Sequence, residues 1–292
     1  MKITEAFERG EFVVTAEVGP PKGFHIEHML EEAKTYLSGI TAVNVTDNQS
    51  SVMRLGSLAT CKALKDEGLT PIFQMTCRDR NRIALESDLL SAALFGIENL
   101  LLLTGDHTRL GDHPQAKPVF DLDSVSLIHA VKQLESGVDL GGNELVGEPP
   151  KFAKGAVVSP CSDSVDVQLA KMERKVAAGA EYFQTQAVYE PEKFIQFMEK
   201  AKQFGKPVQL GIVIPKSVGM CRYMNANVAG IHIPEEMINE LKADKEKTKA
   251  GITGVEIAAR IIRECKPYCQ GVHIMAMGWE SKVPALLEQA GI

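Results

Sequence analysis

A chain of 292 residues that is 45% hydrophobic and 24% charged has the make-up of a globular protein, and enough length to bury one large core. Its formal net charge of −6 and lack of any Lys/Arg-rich run exclude the basic field that a nucleic-acid backbone requires. The longest apolar runs are strand-length, short of the roughly 20 residues of a membrane span, and MKITEAFERGEF has no apolar signal core, so a cytoplasmic protein is expected.

Along the chain the apolar pattern switches repeatedly between short strand-like runs and longer amphipathic segments. The spacing predicts strands at 12–17, 42–46, 71–76, 99–104, 155–159, 182–186, 208–213 and 271–275. It predicts helices at 26–38, 51–67, 79–95, 123–136, 163–179 and 190–204, a longer helical region over 217–265, and a last helix at 279–290. Asp123 before Ser-Val-Ser, and Ser162-Asp-Ser before Val165, read as helix caps. Eight strand–helix alternations close most economically into an α/β fold, a single-domain (β/α)8 TIM barrel over 1–292, with a doubly wound open sheet as the alternative. Two loop insertions interrupt the rhythm, at about 107–121 and 137–153, and long connections in a compact domain are more often functional loops than packing elements.

The cysteines at 61, 77, 161, 221, 265 and 269 form no CxxC and no paired framework, which suits reduced thiols. Cys265-Lys-Pro-Tyr-Cys269 offers only two ligands of a four-ligand site, and His107 and His113 lack a recognised ligand spacing, so no metal is expected. GxSxG, Walker and GxGxxG motifs are missing, which removes the usual support for nucleophilic hydrolysis, P-loop chemistry and Rossmann dinucleotide binding. Cys221, with no histidine that the sequence places beside it, reads as a packed thiol rather than a nucleophile.

A barrel carries its chemistry at the C-terminal ends of its strands. Those ends present Glu17, Thr46 with Asp47-Asn48, Gln74 with Thr76, Thr104-Gly105-Asp106, Ser159, and Gln184 with Gln186. Such a mostly uncharged donor and acceptor set suits a neutral heteroaromatic ligand, a flavin or a pterin, better than a polyphosphate or a metal. Glu17 leads into a rigid Val-Gly-Pro-Pro turn at the barrel mouth; a general acid and a strand-end salt bridge are both open readings. Gly105 lets the backbone turn close to a ligand, and Asp106 then stands at the mouth.

Five stretches in order, Ala16-Glu17-Val-Gly-Pro-Pro21, Val43-Asn-Val-Thr46, Met75-Thr-Cys77, Thr104-Gly-Asp106 and Glu173-Arg-Lys-Val-Ala-Ala-Gly-Ala180 leading to Thr185-Gln186, resemble the methylenetetrahydrofolate reductase family. These are flavin-dependent barrel enzymes, and the likeness runs through nearly the whole chain. It implies reduction of 5,10-methylenetetrahydrofolate to 5-methyltetrahydrofolate, with Glu17 as the catalytic proton donor and Asp106 and Gln186 as substrate-binding residues. It places Thr46, Gln74, Thr76, Gly105, Ser159 and Lys175 around the cofactor, FAD by the family pattern or FMN. NAD(P)H as electron donor, an electron-transfer partner subunit in its place, and an oligomer are further implications. Departures are Thr104 where many relatives carry Arg, Gln74 where they carry His, Ser159 near their Tyr and Gln168 near their Asp. A pterin-binding methyltransferase barrel and a non-catalytic folate-binding subunit are the competing readings.

Overall fold

In the computed structural model, which describes residues 1–292, eight parallel strands close into a barrel in sequential order. They are β1 Val13–Val18, β2 Ala42–Val45, β3 Pro71–Thr76, β4 Asn99–Leu103, β5 Ala153–Val158, β6 Tyr182–Ala187, β7 Val208–Val213 and β8 Gly271–Met275. The helices are α1 Ile3–Glu8, α2 Glu27–Leu37, α3 Ser57–Asp66, α4 Arg82–Leu94, α5 Ser124–Glu135, α6 Val165–Ala178, α7 Pro191–Ala201, α8 Val218–Asn227, α9 Glu235–Ala243, α10 Lys245–Lys249, α11 Ile252–Cys265 and α12 Val283–Ala290. No helix is long and apolar enough to cross a membrane.

The eight expected strands and the barrel are all present, and three differences from the expected elements have local causes. The helix expected from residue 51 begins at Ser57, because Asn48, Ser50 and Ser51 adopt left-handed φ of 46°, 56° and 60° and turn the chain back. The region 217–265 is four helices, broken at the 228–234 connection, at Asp244, whose carboxylate caps α10, and at Gly251. Helix α1, a six-residue segment, was too short for its periodicity to register. At the caps, Asp123 makes a full capping box with Ser126, whereas Ser164 makes no side-chain cap bond.

A parallel sheet covered by helices is buried on both faces, which is why β4 reads Asn-Leu-Leu-Leu-Leu. Leu100 and Leu102 pack outward into the layer between barrel and helices, while Leu101 points into the barrel. The barrel interior is stratified. At the N-terminal end of the strands Val13, Ala42, Ile72, Leu101, Ala153 and Tyr182 form an apolar floor, plugged by Ile3 and Ala6 of α1. Asn99 Oδ1 accepts the Ile3 N–H at 2.7 Å and so fastens the plug to β4. Above the floor lie buried Thr15, Asn44, Gln184, Gln209 and His273, and above them the polar mouth.

Strand direction also separates the two insertions. Residues 107–121 follow β4, at the same end as the mouth. The second insertion precedes β5, whose start at Ala153 ends it one residue early, and it folds at the opposite end through a Val138–Glu144 bridge.

Candidate functional site

A cavity of about 450 Å³ opens at the barrel mouth and is lined by Glu17, Gln74, Thr76, Gly105, Asp106, Ser159, Lys175 and Gln186 among others. Thr46, the remaining residue expected there, instead faces a neighbouring cavity of about 380 Å³ that shares Glu17. Its hydroxyl is buried without a hydrogen-bond partner. A roomier hollow of about 800 Å³ lies at the closed end around Thr4, Glu181, Lys206 and Gln270 and includes none of the strand-end residues.

Glu17 is the penultimate residue of β1, and its Oε1 accepts a hydrogen bond from Gln74 Nε2 at 2.9 Å. Asp106 stands exposed after β4 with no hydrogen bond or ion pair to its carboxylate, while its backbone oxygen accepts from Arg78 Nη1 at 3.4 Å. The turn that delivers it depends on Gly105, at φ +92°, where an added Cβ would sit 3.0 Å from Thr76 Cβ. Gln186 Oε1 accepts from the Ala187 N–H at 3.0 Å, which leaves its NH2 free for a ligand. A register shift between Gln184 and Ala187 aims that side chain, as β-bulges beside active sites do.

The remaining expected residues are tethered by partners that fix what they can offer. Thr76 donates its hydroxyl to Asp47 Oδ2 at 2.9 Å, so toward a ligand it is an acceptor. Asp47 in turn pairs with Arg80. Lys175 Nζ donates to the Val157 carbonyl at 2.6 Å. Burial, and then the neighbouring Lys171, pull the Lys175 ammonium down to about 8. The Ser159 N–H donates to Gln168 Oε1 at 3.3 Å. Thr104, which stands where relatives carry Arg, accepts the Ser124 N–H at 3.1 Å and ties β4 to the start of α5.

The 107–121 loop is pinned beside this mouth, against the 48–53 segment. Gly111 lies so close to the left-handed Ser51 that an added Cβ would fall 1.7 Å from its carbonyl oxygen. Asp112 accepts from Lys22, from His113 Nδ1 at 2.8 Å and from the Met53 N–H at 3.0 Å. Lys22 foremost, then His113, hold the Asp112 carboxyl well below the usual range. Asp112 thus staples the loop to the Lys22 and Met53 segments; no group of three or more His, Cys, Asp or Glu has metal-binding geometry. All six cysteines are buried and unpaired, and burial pushes the Cys221 thiol up to about 11, away from nucleophilic use.

Two parts of the site escaped the sequence reading. Arg78, 2% exposed, pairs with Asp79 and donates to the Asn48 carbonyl, joining the left-handed loop to the Asp106 turn. Its only signal was a charge directly after an apolar strand. His273, which no spacing in the sequence singled out, lies inside the barrel on β8 with Nε2 3.4 Å from Glu17 Oε1.

A closed (β/α)8 barrel whose mouth gathers carboxylates, amides and lysines is the class of barrel that presents its chemistry at the C-terminal face. Residues 2–291 match the family model for methylenetetrahydrofolate reductase, and the chain belongs to that family. Methylenetetrahydrofolate reductase 2 of Schizosaccharomyces pombe is 24% identical over 81% of this chain, which spans only 38% of that protein. The 5,10-methylenetetrahydrofolate reductase of Escherichia coli is 24% identical over 87% of this chain and 82% of its own length. Among solved structures, an uncharacterized protein from Clostridium thermocellum that binds two copies of 5-methyl-5,6,7,8-tetrahydrofolic acid superposes with a TM-score of 0.67. It is 17% identical, with 98% of this chain and 96% of that one covered, a likeness of fold. A 2,3-dimethylmalate lyase shares the barrel at a TM-score of 0.52 and 12% identity, over all of this chain and 88% of its own.

Proposed function

We propose that this chain reduces 5,10-methylenetetrahydrofolate to 5-methyltetrahydrofolate with a bound flavin, alone or as the catalytic subunit of a larger assembly. The observation that carries the reading is two carboxylates in different settings on one cavity: Glu17 tethered by Gln74, and Asp106 unpartnered at the rim.

The residues present fit a flavin. Its ring offers a uracil-like edge of alternating donors and acceptors, and the mouth offers the Gln74 amide, the Thr76 hydroxyl as acceptor and the Lys175 ammonium. Ser159 and Gly105 line the same wall, and the unpartnered Thr46 hydroxyl lies beside Glu17. When bound and reduced, a flavin supplies hydride. Both FAD and FMN present this ring, and NAD(P)H or a partner subunit would supply its electrons.

On the substrate, one C–N bond of the imidazolidine ring must break, with the electron pair staying on nitrogen. Glu17 donates a proton to that nitrogen as the bond opens, and is left as a carboxylate. The resulting iminium carbon then accepts hydride. Asp106 receives the pterin's amino and ring N–H groups in charge-assisted hydrogen bonds, and Gln186 reaches the folate from the opposite wall. Each of these roles needs a side chain open to the cavity, which all three are.

The visible absorbance of purified protein tests the proposal. Flavin bands that dithionite bleaches and methylenetetrahydrofolate restores are expected. Colourless protein that takes up no added flavin yet binds methyltetrahydrofolate would replace the reductase with a pterin-binding methyltransferase barrel.

A further inference from the structure

Beneath Glu17 a buried polar network decides the state of His273. Gln209 Nε2 donates to two backbone acceptors, the Val13 and Val272 carbonyls, both at 3.2 Å. Backbone oxygens cannot be exchanged for donors, so the orientation of the Gln209 amide is fixed. Its Oε1 must then accept, and does, from Gln184 Nε2 at 3.0 Å. The amide nitrogens of Gln184 and Gln209 both reach Thr15 Oγ1, at 3.3 and 3.2 Å. With NH2 groups on those two sides, the remaining neighbour of the Thr15 hydroxyl is His273 Nδ1, at 3.0 Å. The hydroxyl proton goes there, Nδ1 accepts, and the ring keeps its own proton on Nε2.

That Nε2–H faces Glu17 Oε1 at 3.4 Å, on the oxygen that already accepts from Gln74 Nε2. The contact is longer than a formed hydrogen bond, as catalytic contacts often are before the substrate complex tightens them. Glu17 Oε2 has no hydrogen bond within the protein and is not sealed from the cavity. We infer that His273 is a positioning residue: held by Thr15 as the neutral Nε2–H tautomer, it joins Gln74 in occupying Glu17 Oε1, so that the transferable proton resides on Oε2, toward the substrate.

The inference rests on Glu17 as the proton donor, and two measurements separate its failure from that of the reductase reading. Nitrogen-15 NMR of histidine-labelled protein, with the His273 signals assigned by their loss in His273→Gln, needs neither flavin nor folate. A bare Nδ1 and a protonated Nε2 are expected, and the preference should weaken in Thr15→Val; an Nδ1–H or doubly protonated ring at neutral pH overturns the inference. The second measurement follows reoxidation of dithionite-reduced holoenzyme by methylenetetrahydrofolate in a single turnover. His273→Leu should slow it by about tenfold or more with little change in folate affinity. His273→Gln, which keeps an N–H toward Glu17, should recover much of that loss. An unslowed His273→Leu, or equal loss in both variants, overturns the positioning role. Wild-type flavin that folate cannot reoxidise defeats the reductase reading instead, and the NMR result still decides the tautomer.

Discussion

The floor and the mouth of the barrel are built from the same strands, two to four residues apart, and follow opposite rules. At the floor β1, β3 and β6 contribute Val13, Ile72 and Tyr182; at the mouth they contribute Glu17, Gln74 with Thr76, and Gln186. The lower set removes apolar area from water and stabilises the fold at about 25 cal/mol per Å². Polar groups in the upper set give up hydration for hydrogen bonds of little net worth, and some keep an open valence, as Asp106 and Glu17 Oε2 do. One end holds the barrel shut while the other is kept chemically available.

Substitutions at the two ends should accordingly move different observables. Tyr182→Ala removes a buried ring and its 2.8 Å bond to the Leu100 carbonyl; a loss of about 3–5 kcal/mol in urea unfolding is expected, with flavin content per folded molecule unchanged. Glu17→Gln is the counterpart at the mouth: a fall in folate turnover of about 100-fold or more, with thermal stability and flavin reduction by dithionite retained. Asp106→Asn should weaken folate binding by about tenfold, the worth of one charge-assisted hydrogen bond, measured by titrating the flavin spectrum. If Asp106→Asn leaves folate affinity intact while Tyr182→Ala alters it, the division between the ends is wrong.

A smaller effect is expected from pH. Burial depresses Lys175, so between about 8 and its ordinary 10.5 the unfolded chain binds a proton that the folded chain does not. Stability contributed at this site therefore rises with pH across that window, and the cost of the buried charge is fully present below it. Lys175→Met should flatten this part of the stability profile relative to wild type, as followed by denaturant titration at several pH values.

Much of this was readable in the chain because barrel strands advertise themselves. β3, β7 and β8 lie where their apolar runs placed them, since a strand buried on both faces reads as a short, mostly apolar run. Glu17, Gln74, Asp106 and Gln186 were legible as polar residues near or just past the C-terminal ends of strands. Convergence inside the barrel was not. Thr15, Gln184, Gln209 and His273 sit within four different strands, and only closure of the sheet brings them together. Nor could local spacing show that Asn48–Ser51 turns left-handed, because that conformation answers Arg78 and Gly111, far away in sequence.

Helix α1, an unassuming six residues, makes the barrel a vessel with a single door. Its plug of Ile3 and Ala6 closes the floor, so every visitor to the carboxylates arrives and departs through the mouth. On the proposed reaction, an electron donor and a folate that both need that mouth must queue. Their traffic is then an alternation, with one product gone before the next reactant enters, and double-reciprocal plots against the two should run parallel.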